Sequence, residues 1–589
     1  MTYIEDVRAL FDTVQSVNIN PNLVEIPQDR SMGDFALPCF SFAKELKKAP
    51  QQIAKDIAAE LWSIVDPHPD PLSTATLGEG AFLKCVSTIE AVWPYVNVTL
   101  KTAYVAEEVI KNVLEQWAQY GAGVDKCQTI LVEWRSPNTH KMLHVWHLRN
   151  ALTSETICTI SEFAGYTVIR SAYGGDIWAH VAKRIWYFTN FTDGLYPSEV
   201  EAFTIWSGDL YQQATSKINE DKEKSEEYKT QVHEVQRLLE SGDKKLTAIW
   251  QETREMSIAG LKSAFTELGC TIQKFYRESD VEQPGIELVK QYLDDESITN
   301  IRMSEGAIIS DLEEFDLWVF LLLKSNGTCL YSTKDIALAY LKESDYEFHR
   351  SLYVVATEQN HHFQQLFKTL ELVWYDTSKL HHMGYELVEL PDGKMSSRKG
   401  TIIPYHTWRD NAIQQAQDLI ADRDIQNKDD IARVVAFSAL KFSMLLQDTY
   451  KKIRLDMGTA LSFEWETWPY LQYTHARCCS IQRNAKNLNL QASSIDYSCL
   501  VQDSERLLLL HLSEFGDVVT KAADEYKPSL VARYVLELAR MFNWYYQSTK
   551  ILLEDDEPTT QARLALVASV QQVLKNGLRL LWIEAPEKM

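Results

Sequence analysis

The sequence predicts an α/β protein in which a parallel-sheet central domain lies between a small N-terminal α/β module and a C-terminal all-α bundle. Three observations predict it. From about residue 125 to 415, apolar β-like runs alternate with helical patterns, as parallel strands with crossover helices require. Beyond about residue 430, Leu and Ala recur at helical spacing, without turn-rich β segments. Ahead of both, residues 1 to about 105 mix one helical and one strand-like pattern of their own. A chain of 589 residues is long enough for three or four domains of ~150 residues, and 45% hydrophobic content supplies their cores.

In the N-terminal module, Met32-Gly33-Asp34-Phe35-Ala36 leads into the segment Phe40–Lys48. Pro50 then opens a helix carrying Ile53, Ile57 and Leu61 on one face, and Tyr95–Leu100 closes the module as a strand. In the central region Thr129–Val132, Val168–Arg170 and Leu352–Ala356 read as strands. The stretch from about 190 to 300 reads as an insertion, and its part 215–260, which includes Asn219–Glu227, as a charge-dense, solvated helix. The bundle from 430 to 589 contains the helical strings Tyr470–Arg477 and Tyr534–Asn543.

Composition narrows the function classes. A net charge of −23 argues against a generally basic nucleic-acid-binding surface, so an RNA partner needs a local basic track. No apolar run reaches the ~18 residues of a membrane span, and the N-terminus lacks a basic segment followed by an apolar one. A cytoplasmic protein with no membrane partner is expected. The nine cysteines have no metal-ligand spacing and read as reduced thiols, with Cys478 and Cys479 buried in a helix.

Two motifs carry chemistry. In Ser136-Pro137-Asn138-Thr139-His140-Lys141-Met142-Leu143-His144-Val145-Trp146-His147, two histidines three apart follow a strand and open a helix. The first N–H groups of a helix lack intrahelical partners, and its dipole favours anions, so phosphates fit there with imidazole N–H groups as further donors. Far downstream, Asp392-Gly393-Lys394-Met395-Ser396-Ser397-Arg398-Lys399-Gly400 is a basic, glycine-flanked loop suited to closing over the same phosphates. Each motif alone is weak. Together, in this order, they resemble the signature of class I aminoacyl-tRNA synthetases, and the Ser-Pro-Asn prefix resembles the arginyl family in particular. The N-terminal module, Tyr470–Arg477 and the ending Glu584–Met589 are similar to that family too.

The resemblance implies a Rossmann-like catalytic domain, a tRNA-contacting N-terminal module and an anticodon-binding bundle. It implies the conversion of arginine, ATP and tRNA(Arg) into arginyl-tRNA, AMP and pyrophosphate. Mg2+ accompanies ATP, and no zinc, organic cofactor or protein-held metal is expected; the chain is expected to be a monomer. His144, Trp146, His147, Lys394, Met395 and Ser396 fall on ATP-binding positions. His144, His147, Lys394 and Lys141 are the candidates for catalysis, Lys141 standing where a lysine compensates for Ser397 in the second motif. Glu133, Asn138, Tyr331, Asp335 and Gln359 fall on arginine-binding positions. The residues themselves are less specific. A guanidinium needs acceptors, and Tyr331 and Asp335 share a face only if helical. On its own, Asp335 reads as a helix-start residue.

One pattern departs from the family. Trp93, Trp146, Trp178, Trp318, Trp374, Trp465, Trp468 and Trp582 stand on glycine-like positions, and the chain has only 22 glycines in 589 residues against a usual ~7%. Independent replacement would not choose the largest residue eight times. The expected explanation is a UGA codon that some bacteria read as glycine and other codes read as tryptophan. The rival is a non-catalytic tRNA-binding paralogue in which Trp146 is genuine.

Overall fold

The computed structural model describes the chain apart from residues 1, 21–22, 28, 66–84, 136, 178, 221–222, 390–402, 422–426, 456–467, 486–491 and 589. It also leaves out the side chains of residues 2–6, 31, 135, 146 and 468. In the N-terminal module, β1 (Phe35–Pro38), β2 (Val86–Val92) and β3 (Tyr95–Leu100) form an antiparallel sheet in the order β1-β3-β2. The helix Pro50–Val65 packs on it through buried Ile53, Ile57 and Leu61, the face its apolar spacing marks.

The central sheet begins with β4 (Thr129–Arg135), β5 (Thr167–Gly174) and β6 (Lys274–Arg277). Next come β7 (Ile301–Ser304), β8 (Ala307–Asp311) and β9 (Val319–Leu323), a separate antiparallel sheet that sequence pattern does not reveal. The chain returns with β10 (Arg350–Ala356) and β11 (Leu380–Tyr385), and a short parallel pair, β12 (Val388–Glu389) with β13 (Ile453–Arg454), follows. The five-stranded sheet runs β11-β10-β4-β5-β6, every pairing parallel. Leu352–Val355 is buried without interruption, as strands covered on both faces must be.

β6 corrects the sequence reading. Its Lys-Phe-Tyr-Arg sequence falls within the expected insertion, yet it is the sheet's edge strand. An edge strand covered on one side does not need the apolar run that marks β10. The helices Val200–Glu220, Ser225–Glu240 and Lys244–Glu267 form the inserted layer, and the described residues of the 219–227 stretch are mostly exposed.

The C-terminal bundle comprises the helices Trp468–Asn484, Asp503–Ser513, Phe515–Asp524, Pro528–Ser548 and Glu557–Leu580. The last is buried over most of its length, without interruption from Ala562 to Val570. No described helix is long and apolar enough to cross a membrane.

The N-terminal module docks on this bundle through a buried ion pair. Asp34, fully buried, accepts from the Leu100 amide at 2.7 Å and from the Arg506 guanidinium, which also donates to the Leu100 carbonyl at 2.9 Å. Arg506→Ala leaves Asp34 charged, buried and half-satisfied, so it should cost ~3–5 kcal/mol of stability. Urea unfolding measures this, and an unchanged midpoint would show that the pair does not hold the module.

Candidate active site

Chain order reverses at one place in the sheet. From β4 the chain goes to β5 and β6 on one side, and to β10 and β11 on the other. Crevices at the carboxyl ends of strands at such a reversal bind ligands in open α/β sheets. The histidine motif leaves the end of β4, and Gln359 ends a 3-10 turn directly after β10.

The loop between β4 and the helix Val145–Phe163 is pinned by its own polar groups. Thr139 donates its amide to the Gly175 carbonyl at 2.8 Å, and the His140 amide donates to Ser257 Oγ at 2.8 Å. His144 is the N-cap of the helix, and its amide donates to His147 Nδ1 at 3.0 Å. That bond uses the Nδ1 lone pair, so a neutral His147 carries its proton on Nε2 and presents it as a donor. The two rings stack at 5.4 Å. Burial, and then the neighbouring charges, lower His147 to about 3 and His144 to about 4. Near neutrality both are uncharged donors. Lys141, nearby, is shifted down by burial and by Lys183, and Glu278 acts in the other direction.

Arg149, two residues beyond His147, is fully buried beneath this turn. Its guanidinium donates to the backbone carbonyls of Glu386, Asp448 (3.3 Å), Thr449 (3.0 Å) and Lys451 (2.9 Å). Asn150 donates to the Val354 carbonyl of β10 at 2.7 Å. Tyr405 donates its amide to the Leu143 carbonyl at 2.8 Å, and Pro404 bridges His144. The chain that follows the second motif therefore returns to the first. Lys394, Met395 and Ser396 lie outside the described residues, as does the Trp146 side chain; its backbone is the second residue of the helix.

Carboxylates gather on the other side of the crevice. The helix Tyr331–Asp345 begins at Tyr331, which places its half-exposed ring and the buried Asp335 on one face. His362 Nε2 donates to Asp335 at 2.7 Å. Glu133, buried at the end of β4, pairs with the fully buried ammonium of Lys342, which lies 3.6 Å over the Tyr353 ring. Burial lowers the Lys342 ammonium, with the charges of Glu133 and Asp335 acting against it; burial raises the Tyr353 phenol, and the same two charges add to that shift. Asn138 Oδ1 accepts from the Gly175 amide at 3.3 Å, and a Cβ at Gly175 would come within 3.0 Å of both Asn138 and Glu278.

Glu278 was missed in the sequence. It is buried, and Lys334, also buried, lies 3.2 Å away. The available signal was its position directly after strand β6, the same rule that singled out Gln359 after β10. With β6 hidden in a charged stretch, that signal could not be read.

The matching family models are those of the class I tRNA synthetase (R) catalytic domain over residues 109–456, the DALR anticodon binding domain over 471–589, and the arginyl tRNA synthetase N terminal domain over 3–63. The catalytic region is thus that of a class I aminoacyl-tRNA synthetase. Arginine–tRNA ligases of Bdellovibrio bacteriovorus and Halothermothrix orenii are 34% and 33% identical, each over 96% of this chain and over 93% and 96% of their own. The arginyl-tRNA synthetase of Thermus thermophilus superposes over the full length of both chains with a TM-score of 0.79 at 27% identity. The chain belongs to the arginyl-tRNA synthetase family.

Acid should weaken the fold before it charges these imidazoles. The unfolded chain takes up protons on its histidines as pH falls through 6.5, whereas folded His144 and His147 stay neutral until about 4 and 3. Their contribution is complete above pH 6.5 and is lost as pH falls toward 3. A His147→Gln variant should therefore lose less stability between pH 7 and 5 than the parent; parallel urea midpoints would overturn the assignment.

Proposed function

We propose that this chain is an arginine–tRNA ligase, which joins arginine to the terminal ribose of tRNA(Arg) in two steps at the β4–β10 crevice. The observation that carries the reading is a cluster of buried carboxylates beside the helix start of the histidine motif. Glu133, Glu278 and Asp335 stand among Lys342, Lys334 and His362. The five donors of a guanidinium match such carboxylate acceptors and the Tyr331 phenol. Arginine would lie with its side chain toward Asp335 and Tyr331, and with its α-amino and carboxylate ends toward Glu133, Asn138 and Gln359.

In the first step a carboxylate oxygen of arginine attacks the α-phosphorus of ATP in line. The bond to the bridging oxygen breaks, and pyrophosphate leaves. Such a transfer needs positioning and charge stabilisation more than a covalent catalyst. The helix N-terminus and the Nε2–H of His147, with His144 beside it, supply neutral donors to the phosphates. Lys394 would supply a mobile cation and Lys141 a second positive charge, with Met395 and Ser396 in the closing loop and position 146 against the nucleotide. Mg2+ enters with ATP as part of the substrate. In the second step a hydroxyl of the terminal ribose attacks the arginyl carbonyl, and AMP leaves. The N-terminal module and the helical bundle would hold the tRNA. A monomer in the cytoplasm fits this role.

Arginine-dependent ATP–pyrophosphate exchange, with and without tRNA, tests the reading; no exchange and no charging with arginine would reject it. Asp335→Asn should raise KM for arginine by a hundredfold or more, the consequence of ~3 kcal/mol or more for a buried charge left unmatched, with KM for ATP little changed. His147→Ala should instead lower kcat by about a hundredfold while arginine still binds. An Asp335→Asn enzyme with ordinary arginine KM would remove that residue from the pocket.

A further inference from the structure

Twelve non-glycine residues among those described have φ in the left-handed region, and five of them are tryptophans: Trp93 (52°), Trp117 (48°), Trp318 (60°), Trp374 (66°) and Trp582 (58°). With 16 tryptophans in 589 residues, fewer than one is expected there. Bulky side chains are genuine outliers at positive φ, where glycine is the usual occupant. Trp93, Trp117, Trp318 and Trp374 are 68%, 51%, 76% and 79% exposed, so packing does not explain an indole at these places.

Each local setting whose hydrogen bonds or register can be read is one that glycine serves. Trp374 and Trp582 close helices in the same way. Trp374 donates to the Glu371 carbonyl and Tyr375 to Leu370; Trp582 donates to Arg579 and Ile583 to Leu578. Gly165, Gly242 and Gly269 make the identical pair of bonds, three and five residues back, at φ 93°, 79° and 84°. This is the Schellman closure, whose left-handed residue is usually glycine. Trp93 opens the two-residue turn between β2 and β3, where Val92 pairs with Tyr95. The turns that suit such hairpins need φ above zero at that first residue. Trp117 has φ 48° and ψ −115°, the mirror image of a type II corner.

We infer that glycine is the residue these five positions are built for, and that the gene carries at each of them a codon read as glycine by its own ribosomes. UGA is the codon that different codes assign to these two residues. Trp117 extends the set beyond the eight positions that sequence pattern marks. Trp146 and Trp468 lie in right-handed helix, where φ makes no such demand, and Trp178 and Trp465 lie outside the described residues. Trp134, Trp186 and Trp408 are buried in regular strand or helix and are true tryptophans on this reading.

The nucleotide sequence and the protein test this separately. UGA is expected at 93, 117, 318, 374 and 582 and UGG at 134, 186 and 408; UGG at any of the first five overturns the inference. Peptide masses of the protein purified from its own cells should show glycine at 93 and 374, and tryptophan there would overturn it equally. In recombinant full-length chain, Trp374→Gly and Trp318→Gly should each raise Tm, by on the order of 2–4 °C. The same exchange at Trp544, exposed but helical, should lower it. A fall in Tm at 374 and 318 would show that the tryptophans are native.

Discussion

One buried guanidinium holds the catalytic region together. Arg149 sits where the helix that the histidine motif opens, the chain entering the second motif near Glu386 and the chain entering the bundle near Asp448–Lys451 converge. Each of those segments leaves backbone carbonyls in the interior, and a buried carbonyl without a donor costs about as much as a lost hydrogen bond. A planar fork of donors satisfies several at once, which an ammonium cannot do in the same geometry. Burial lowers the Arg149 pKa to about 10, so the group stays charged throughout the neutral range. Its place two residues after His147 makes the position of the imidazoles depend on the same contact.

The two sides of the crevice use charge in opposite ways. On the histidine side burial strips His144 and His147 of positive charge, so the donors there are dipoles and one helix end. On the other side Lys334 and Lys342 are paired with Glu278 and Glu133. On the proposed reading, the neutral donors would let a multiply charged anion leave readily, and the carboxylates would discriminate strictly for a cation, since a buried acceptor left unmatched is costly.

Much of this was legible in the sequence. Leu352–Ala356 and Val168–Arg170 declare themselves as strands because both faces are covered, and the helix-opening histidines follow from the strand before them. Tyr331 and Asp335 share a face because the helix starts at the tyrosine. What stayed hidden had a physical reason. β6 is a charged edge strand, and Glu278 follows it. Lys334 and Lys342 look like solvated lysines, because nothing local tells a buried lysine from an exposed one; only the carboxylate that meets it in three dimensions does. The tryptophans were visible as misfits, but Trp117 needed its backbone angles to be recognised.

The order of strands has a consequence for how the molecule comes into being. β4 and β10 lie side by side, with Ile130 beside Arg350, so the central pairing closes a loop of more than two hundred residues. Contacts between such distant segments form late, because the entropy of closing the loop must be met before any pairing is gained. A nascent chain emerging from the ribosome can complete its N-terminal module early, since β1, β2 and β3 all lie within the first hundred residues. The crevice cannot exist until β10 has been made. Until then the apolar edge of β4 is exposed to other chains, which makes synthesis, rather than the finished fold, the stage at which this protein is most prone to aggregate.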